Sequence, residues 1–230
     1  MNSHFLYDPS ELLKAIKDFP KGTGILAFRD IPNILNQHVV GKKTLDFGCG
    51  AGRSSRILNA LGYDVCGVDI ASTMINSARL LTSEIQFKVV DRPLNRLLTE
   101  TYDLIFLSFV LMEMTKAADI VVTLQQLKKQ LNPNGRVVVI TASNEMYLHE
   151  WLSMKPMTKN INSGLPAEIL LKDYNTTVTD IVWSESDCFE FFAGSGFSLI
   201  EKYYPLGQDR DDRPWLIETE IAPFVIWVLA

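Results

Sequence analysis

The sequence predicts an α/β fold, a doubly wound parallel sheet with helices on both faces. Three observations predict it. Short β-like runs alternate with helix-like runs between residues 44 and 142, the rhythm of strand–helix–strand units. The fourth run, YDLIFLSFV at 102–110, is apolar without a break, as a strand covered on both faces would be. A turn with three glycines in five residues, GCGAG at 48–52, follows the first run and opens a helix-like segment.

The elements follow in order. The first 40 residues read as helical in two pieces, broken by KGTG at 21–24. Strands are predicted at 44–47, 64–69 (DVCGVD), 85–90 (IQFKVV), 102–110 and 136–142 (RVVVITA), the last after the turn-forming NPNG. Helices are predicted at 54–61, closed by Gly62, at 71–81, and at 116–131. The third carries Ile120, Leu124, Leu127 and Leu131 at spacings of three and four, a stripe that packs on a sheet. After Ser143 the rhythm breaks, and 144–185 reads as an insertion or lid over the sheet rather than another βα unit. A helix then begins near Ser184 or Ser186 and ends at Gly194 to Gly196. Two final strands are expected at 198–204 and 223–229.

The totals are those of a soluble globular chain. Its 230 residues fit a single domain, with 1–40 as an N-terminal helical cap and 144–185 as the lid. Apolar residues make up 47% and charged residues 21%. A net charge of −5 without a Lys/Arg-rich run argues against nucleic acid as partner. Cys49, Cys66 and Cys188 are scattered and odd in number. They show no metal-ligand spacing and read as free thiols of a cytoplasmic protein. The N-terminus lacks the pattern of a secretory signal, and the apolar IAPFVIWVLA at 221–230 is about half the length that spans a bilayer. No membrane partner is expected. Monomer and homodimer both remain open.

The glycine turn sits where a helix N-terminus meets the C-terminal edge of a sheet, a place that attracts anions. Glycines let a ligand approach the backbone without a Cβ in the way. The dinucleotide fingerprint needs G-x-G-x-x-G; here Gly52 comes one residue early and Arg53 takes the expected position. Asp46 lies two residues before Gly48, where it would repel a pyrophosphate and attract an amine. The loop therefore suits a ligand that carries both a carboxylate and a cation, as an amino-acid group does. Asp69 ends the second strand and can accept hydrogen bonds from two ribose hydroxyls. Asp91 ends the third and can accept one from an adenine amine. An Asp at one strand end is usually a helix cap. Three at successive strand ends beside a glycine loop are harder to explain by capping.

These stretches, LDFGCGAGRSS, GVDIASTMI, VVD, YDLIFLSFVLMEM and LNPNGRVVVI, resemble the successive motifs of class I S-adenosylmethionine-dependent methyltransferases. The resemblance covers roughly 41–142 and extends more weakly to the last strand. It implies a Rossmann-like, seven-stranded sheet whose last strand is antiparallel, and S-adenosyl-L-methionine as cofactor. It implies that the loop Gly48, Cys49, Gly50 and Gly52 approaches the methionine part, with Asp46 near the amino group. Asp69 would hold the ribose, Ile70, Asp91 and Arg92 would border the adenine, and Ser108 would lie near the sulfonium.

Methyl transfer needs an acceptor aligned in line with the S–CH3 bond. It needs a base only if the acceptor must lose a proton. The family's (D/N)PP(Y/F) signature of amide methylation is absent; the position reads SFVL. A small-molecule acceptor of oxygen, nitrogen or carbon type is therefore expected. A tRNA or protein methyltransferase and a non-catalytic cofactor-binding protein are the alternatives; a nicotinamide oxidoreductase fits the glycine spacing and Asp46 less well. His149 is the candidate catalytic base. Glu113 stands where many relatives carry His. Tyr147, Trp151, Tyr174 and Trp183 either line an acceptor pocket or pack the lid. Arg29, in the N-terminal cap with Tyr7, is a candidate partner for the cofactor's carboxylate.

Overall fold

The computed structural model describes residues 21–90 and 100–230. Its centre is a seven-stranded sheet of β1 (Lys43–Phe47), β2 (Asp64–Asp69), β3 (Gln86–Val89), β4 (Tyr102–Ser108), β5 (Leu131–Ala142), β9 (Leu199–Tyr203) and β10 (Phe224–Leu229). The order across the sheet is β3-β2-β1-β4-β5-β10-β9. The β1–β2, β2–β3, β1–β4 and β4–β5 pairs are parallel, and β10 runs antiparallel between β5 and β9. The sheet therefore reverses its winding between β1 and β4, which makes their C-terminal ends the place for a ligand.

Alternation along the strands explains the unbroken apolar runs. Leu104, Phe106, Val138 and Ile140 enter one core, while Ile105, Leu107, Val137 and Val139 enter the other. The first core is covered by α1 (Leu26–Arg29), α2 (Ile31–His38), α3 (Arg53–Ala60) and α4 (Ser72–Leu81). The second is covered by α5 (Ala117–Lys128) and α6 (Glu185–Gly194). The α5 stripe is fully buried through Ile120, Leu124 and Leu127. α6 begins with a capping box, in which the Ser184 side chain accepts from Asp187 N–H and the Asp187 side chain accepts from Ser184 N–H.

Two stretches differ from the sequence reading. NPNG does not end a turn before β5. β5 already starts at Leu131, pairs Leu131 with Tyr102, and resumes with Arg136 opposite Leu104. The polar tetrapeptide is a bulge within the strand, because partner strand β4 begins earlier than the apolar run of β5 does. The 144–185 insertion is itself a sheet, with antiparallel β6 (Met154–Pro156), β7 (Pro166–Leu171) and β8 (Thr176–Ile181) in that order. Its apolar faces, Ile169 and Val178 among them, join the first core. β8 packs against the 3-10 turn Leu111–Glu113 that follows β4.

A buried carboxylate fastens this second sheet to the N-terminal cap. Glu218 Oε1 accepts from Thr23 Oγ1 (2.7 Å) and from Leu152 N–H (2.7 Å), and Oε2 accepts from the N–H groups of Leu216 (2.9 Å) and Ile217 (3.2 Å). Thr23 and Ser153 also exchange backbone-to-hydroxyl hydrogen bonds of 2.9 and 3.1 Å. Among the described residues, no helix is long and apolar enough to cross a membrane.

Candidate cofactor site

β1 delivers the glycine loop to the edge of the sheet. The N–H groups of Gly48 and Cys49 both donate to Val68 O, at 2.8 and 3.0 Å, so the loop folds over the end of β2. Gly48 and Gly52 have φ of 70° and 75°. A Cβ on Gly48 would lie 2.5 Å from Val110 Cγ2, and one on Gly52 would lie 2.7 Å from Phe87 Cζ. Both positions thus need glycine for handedness and for space. Cys49 is buried and its thiol is pushed well up in pKa by burial, so it is an inert packing residue, not a nucleophile.

Asp46 lies beneath this loop with no exposed surface. Its Oδ2 accepts from Ser54 Oγ (2.7 Å) and Ser55 Oγ (2.5 Å), both in the first turn of α3. Its Oδ1 is buried with no hydrogen-bond partner among the described residues. Burial raises the carboxyl pKa to about 6 despite the hydroxyl donors. Asp69 is half-buried at the end of β2; Oδ2 accepts from Gly50 N–H (2.8 Å) and Oδ1 from Ala71 N–H (2.8 Å). The same carboxylate thus fixes the middle of the glycine loop. Ile70 follows Asp69, half-buried. Asp91 and Arg92, placed by the sequence beside an adenine, lie outside the described residues, as does Tyr7.

Ser108 closes β4, half-buried at the same edge as the loop. The next residue, Phe109, has φ of 61°, a left-handed conformation that is costly for an aromatic residue. Its ring packs edge-on against Phe28 of α1 (6.2 Å) and Phe224 of β10 (5.3 Å). The cap therefore touches the sheet at the end of β4.

The two arginines near the cap have different surroundings. Arg29 is held on both sides: Nε and Nη2 donate to the two oxygens of Asp30, and Nη1 donates to Asp211 Oδ2, each at 2.9 Å. Arg53 is the first residue of α3, directly after Gly52, and its guanidinium lies 5.3 Å from the Phe28 ring centre. Burial lowers its pKa to about 10, so it stays charged at neutral pH.

The second sheet and the segment after β5 bring the other candidates together. Tyr147 and Asp180 are both buried, and the phenol donates to Asp180 Oδ2 at 3.3 Å. Burial raises Asp180 to about 7. Trp151 is fully buried with Nε1–H on Met146 O, and Trp183 donates to Met114 O at 3.1 Å. Tyr174 is half-buried in the turn between β7 and β8. His149 is partly exposed, shares a 2.9 Å hydrogen bond with Glu145 and packs edge-on against Trp151. Sequence reasoning missed Asp180, which sits in a polar TTVTD stretch and is buried where β8 packs against the 3-10 turn that follows β4. It noted Arg53 only as a misfit to the dinucleotide pattern. No cluster of three or more His, Cys, Asp or Glu suited to a metal occurs among the described residues.

The glycine cradle, the buried oxygen of Asp46 beneath it and the Asp69 carboxylate at its side fit a ligand with an amino-acid end and a ribose. A protein-family model described as "Methyltransferase domain" matches residues 26–167. No curated protein sequence matches the chain. Among solved structures, the CcbJ methyltransferase from Streptomyces caelestis aligns with a TM-score of 0.66 at 14% identity, over 92% of this chain and 99% of that one. An S-adenosylmethionine-dependent methyltransferase from Mesorhizobium loti aligns at 0.64 and 19% identity, over 88% and 97%. The glycopeptide N-methyltransferase MtfA, complexed with S-adenosyl-L-methionine, aligns at 0.63 and 15%, over 96% of each chain.

Proposed function

The chain belongs to the methyltransferase-domain family, and from that premise we propose that it moves the methyl group of S-adenosylmethionine to a small-molecule acceptor. When bound, this cofactor supplies a sulfonium-activated methyl group. The protein's own residues supply position. The left-handed turn at Gly48, Gly50 and Gly52 would take the methionine part, Asp46 would accept from its ammonium, and Asp69, which holds Gly50 in place, would accept from the ribose hydroxyls. Ser108 and the strained Phe109, at the end of β4, would border the sulfonium end of the cofactor.

The observation that carries the small-molecule reading is the second sheet. β8 packs on the 3-10 turn that follows β4, and the segment leading into β6 is fastened to the cap through Glu218, Thr23 and Ser153. A cover of this kind suits an acceptor that can be enclosed and kept from water. A net charge of −5 disfavours a polyanionic one. A glycopeptide N-methyltransferase among the structural neighbours supports an acceptor other than nucleic acid. Asp180, a residue of β8 hydrogen-bonded to Tyr147, and the more exposed His149 are the groups able to take a proton from the acceptor.

The test is transfer of labelled methyl from S-adenosylmethionine into a fractionated metabolite extract, with mass spectrometry of the product, beside parallel assays on bulk tRNA and on protein. Label in a small molecule is the expected result. Label confined to tRNA or protein would overturn the acceptor class and leave the methyl donor standing.

A further inference from the structure

An α-amino acid presents a cation and an anion a few ångströms apart, so its site must supply both opposite charges. The buried Oδ1 of Asp46 supplies one. The cation is in question, because the cap and the loop each offer an arginine. Arg29 already faces two carboxylates, Asp30 and Asp211, with three of its nitrogens engaged at 2.9 Å. Those two charges over-neutralise it, and a third carboxylate arriving there would meet net negative charge. Arg53 is in the reverse condition. It follows Gly52 directly, and its neighbour Ser54 holds Asp46. Its guanidinium sits against the Phe28 ring and near the Tyr174 phenol, and no hydrogen bond or ion pair to it is found among the described residues. Arg56, one turn later, spends Nη1 on Ala51 O.

A guanidinium withdrawn from water without an anion is unfavourable, and a carboxylate in its fork relieves that. The place also has the partial positive charge of the α3 N-terminus behind it. We propose that Arg53 receives the α-carboxylate of S-adenosylmethionine while Asp46 receives the ammonium, so that the two charges on either side of the glycine loop read the amino-acid end as a pair. This assignment rests on the cofactor reading above. It makes Arg53 a residue that discriminates between an intact amino-acid end and one without its carboxylate. Arg29 is then a brace that ties the cap to the 209–211 turn.

The experiment is calorimetric titration of the wild-type chain, Arg53→Met, Arg53→Lys and Arg29→Met with S-adenosylmethionine and with its decarboxylated analogue, which keeps the ammonium. Circular dichroism melts show that each variant is folded. The wild type is expected to prefer the intact cofactor by tenfold or more. Arg53→Met should lose that preference while binding the decarboxylated analogue as the wild type does. Arg53→Lys should regain part of the preference, and Arg29→Met should keep it. A ratio unchanged in Arg53→Met, or equal weakening of both ligands, overturns the assignment, and loss of the ratio in Arg29→Met instead moves it to Arg29. A wild type that binds neither ligand sinks the cofactor reading and this assignment together. A wild type that binds the intact cofactor with the ratio unaltered in Arg53→Met sinks the assignment alone.

Discussion

The two oxygens of Asp46 do different things. Oδ2 accepts from the hydroxyls of Ser54 and Ser55 and so pins the first turn of α3 to β1, while Oδ1 is buried with no partner among the described residues. Because burial raises the carboxyl pKa to about 6, the group changes charge in an accessible range. The sign is fixed by the ligand: an ammonium prefers the ionised form. Affinity for S-adenosylhomocysteine should therefore be level above pH 7 and fall about tenfold per pH unit well below 6. Titrations from pH 5 to pH 8 check this, and Asp46→Asn should bind weakly with a flat profile. A steep profile retained in Asp46→Asn would assign the titration to another group. Much of this was legible in the sequence, since the spacing of Asp46, Gly48, Gly50, Gly52 and Asp69 is local and each sits at a strand end. The tie from Asp69 to Gly50 N–H was not, because it depends on how far the loop leans over β2. Nor were the surroundings of Arg53, whose guanidinium meets the Phe28 ring from a distant segment and makes no hydrogen bond among the described residues.

At the scale of elements, the long buried strands and α5 were readable because each buries an apolar stripe of its own period. β6–β8 were not. Their strands are three to six residues long, begin or end on prolines at 156 and 166, and alternate with polar residues that suit a loop equally well. They become a sheet by pairing with one another over the core. Asp180 is the price of that placement, a carboxyl carried indoors by β8 with one 3.3 Å hydrogen bond to Tyr147. Its folded pKa, about 7, lies above the ordinary 3.8, so the folded chain holds a proton there that the unfolded chain has released. The stability this confers is present below pH 4 and is lost as pH rises to 7. Asp180→Asn should remove that loss. Relative to wild type, the variant should gain on the order of 3 kcal/mol between pH 5 and pH 8 in urea unfolding. Parallel curves for the two proteins would show that Asp180 stays ionised and solvated.

For the molecule as a whole, the order β3-β2-β1-β4-β5-β10-β9 gathers the C-terminal ends of β1, β2 and β4 at one edge. Glu218 then joins two distant segments, at 23 and 152, to its own turn at 216–217 around one buried carboxylate. No local pattern marks this residue, since its partners lie up to 195 positions away. Glu218→Ala should lower stability by on the order of 3 kcal/mol, because a charged acceptor and its buried donors part company. Hydrogen exchange should report the linkage, with the amides of Leu152, Leu216 and Ile217 losing protection together. A variant as stable as the wild type, with those amides still protected, would mean that the clasp is redundant.

The position of β10 bears on how the chain is made. This strand is central in space, with β5 on one side and β9 on the other, yet it is translated after every other strand of the sheet. Until residues 224–229 leave the ribosome, the edge of β5 that they cover, from Val137 to Ala142, is an unpaired apolar template, and β9 has nothing to pair with. The nascent chain can form β1 to β5 with their helices early. Closure of the sheet waits for its last strand, and it is in that interval that the unfinished chain most needs shielding from its neighbours.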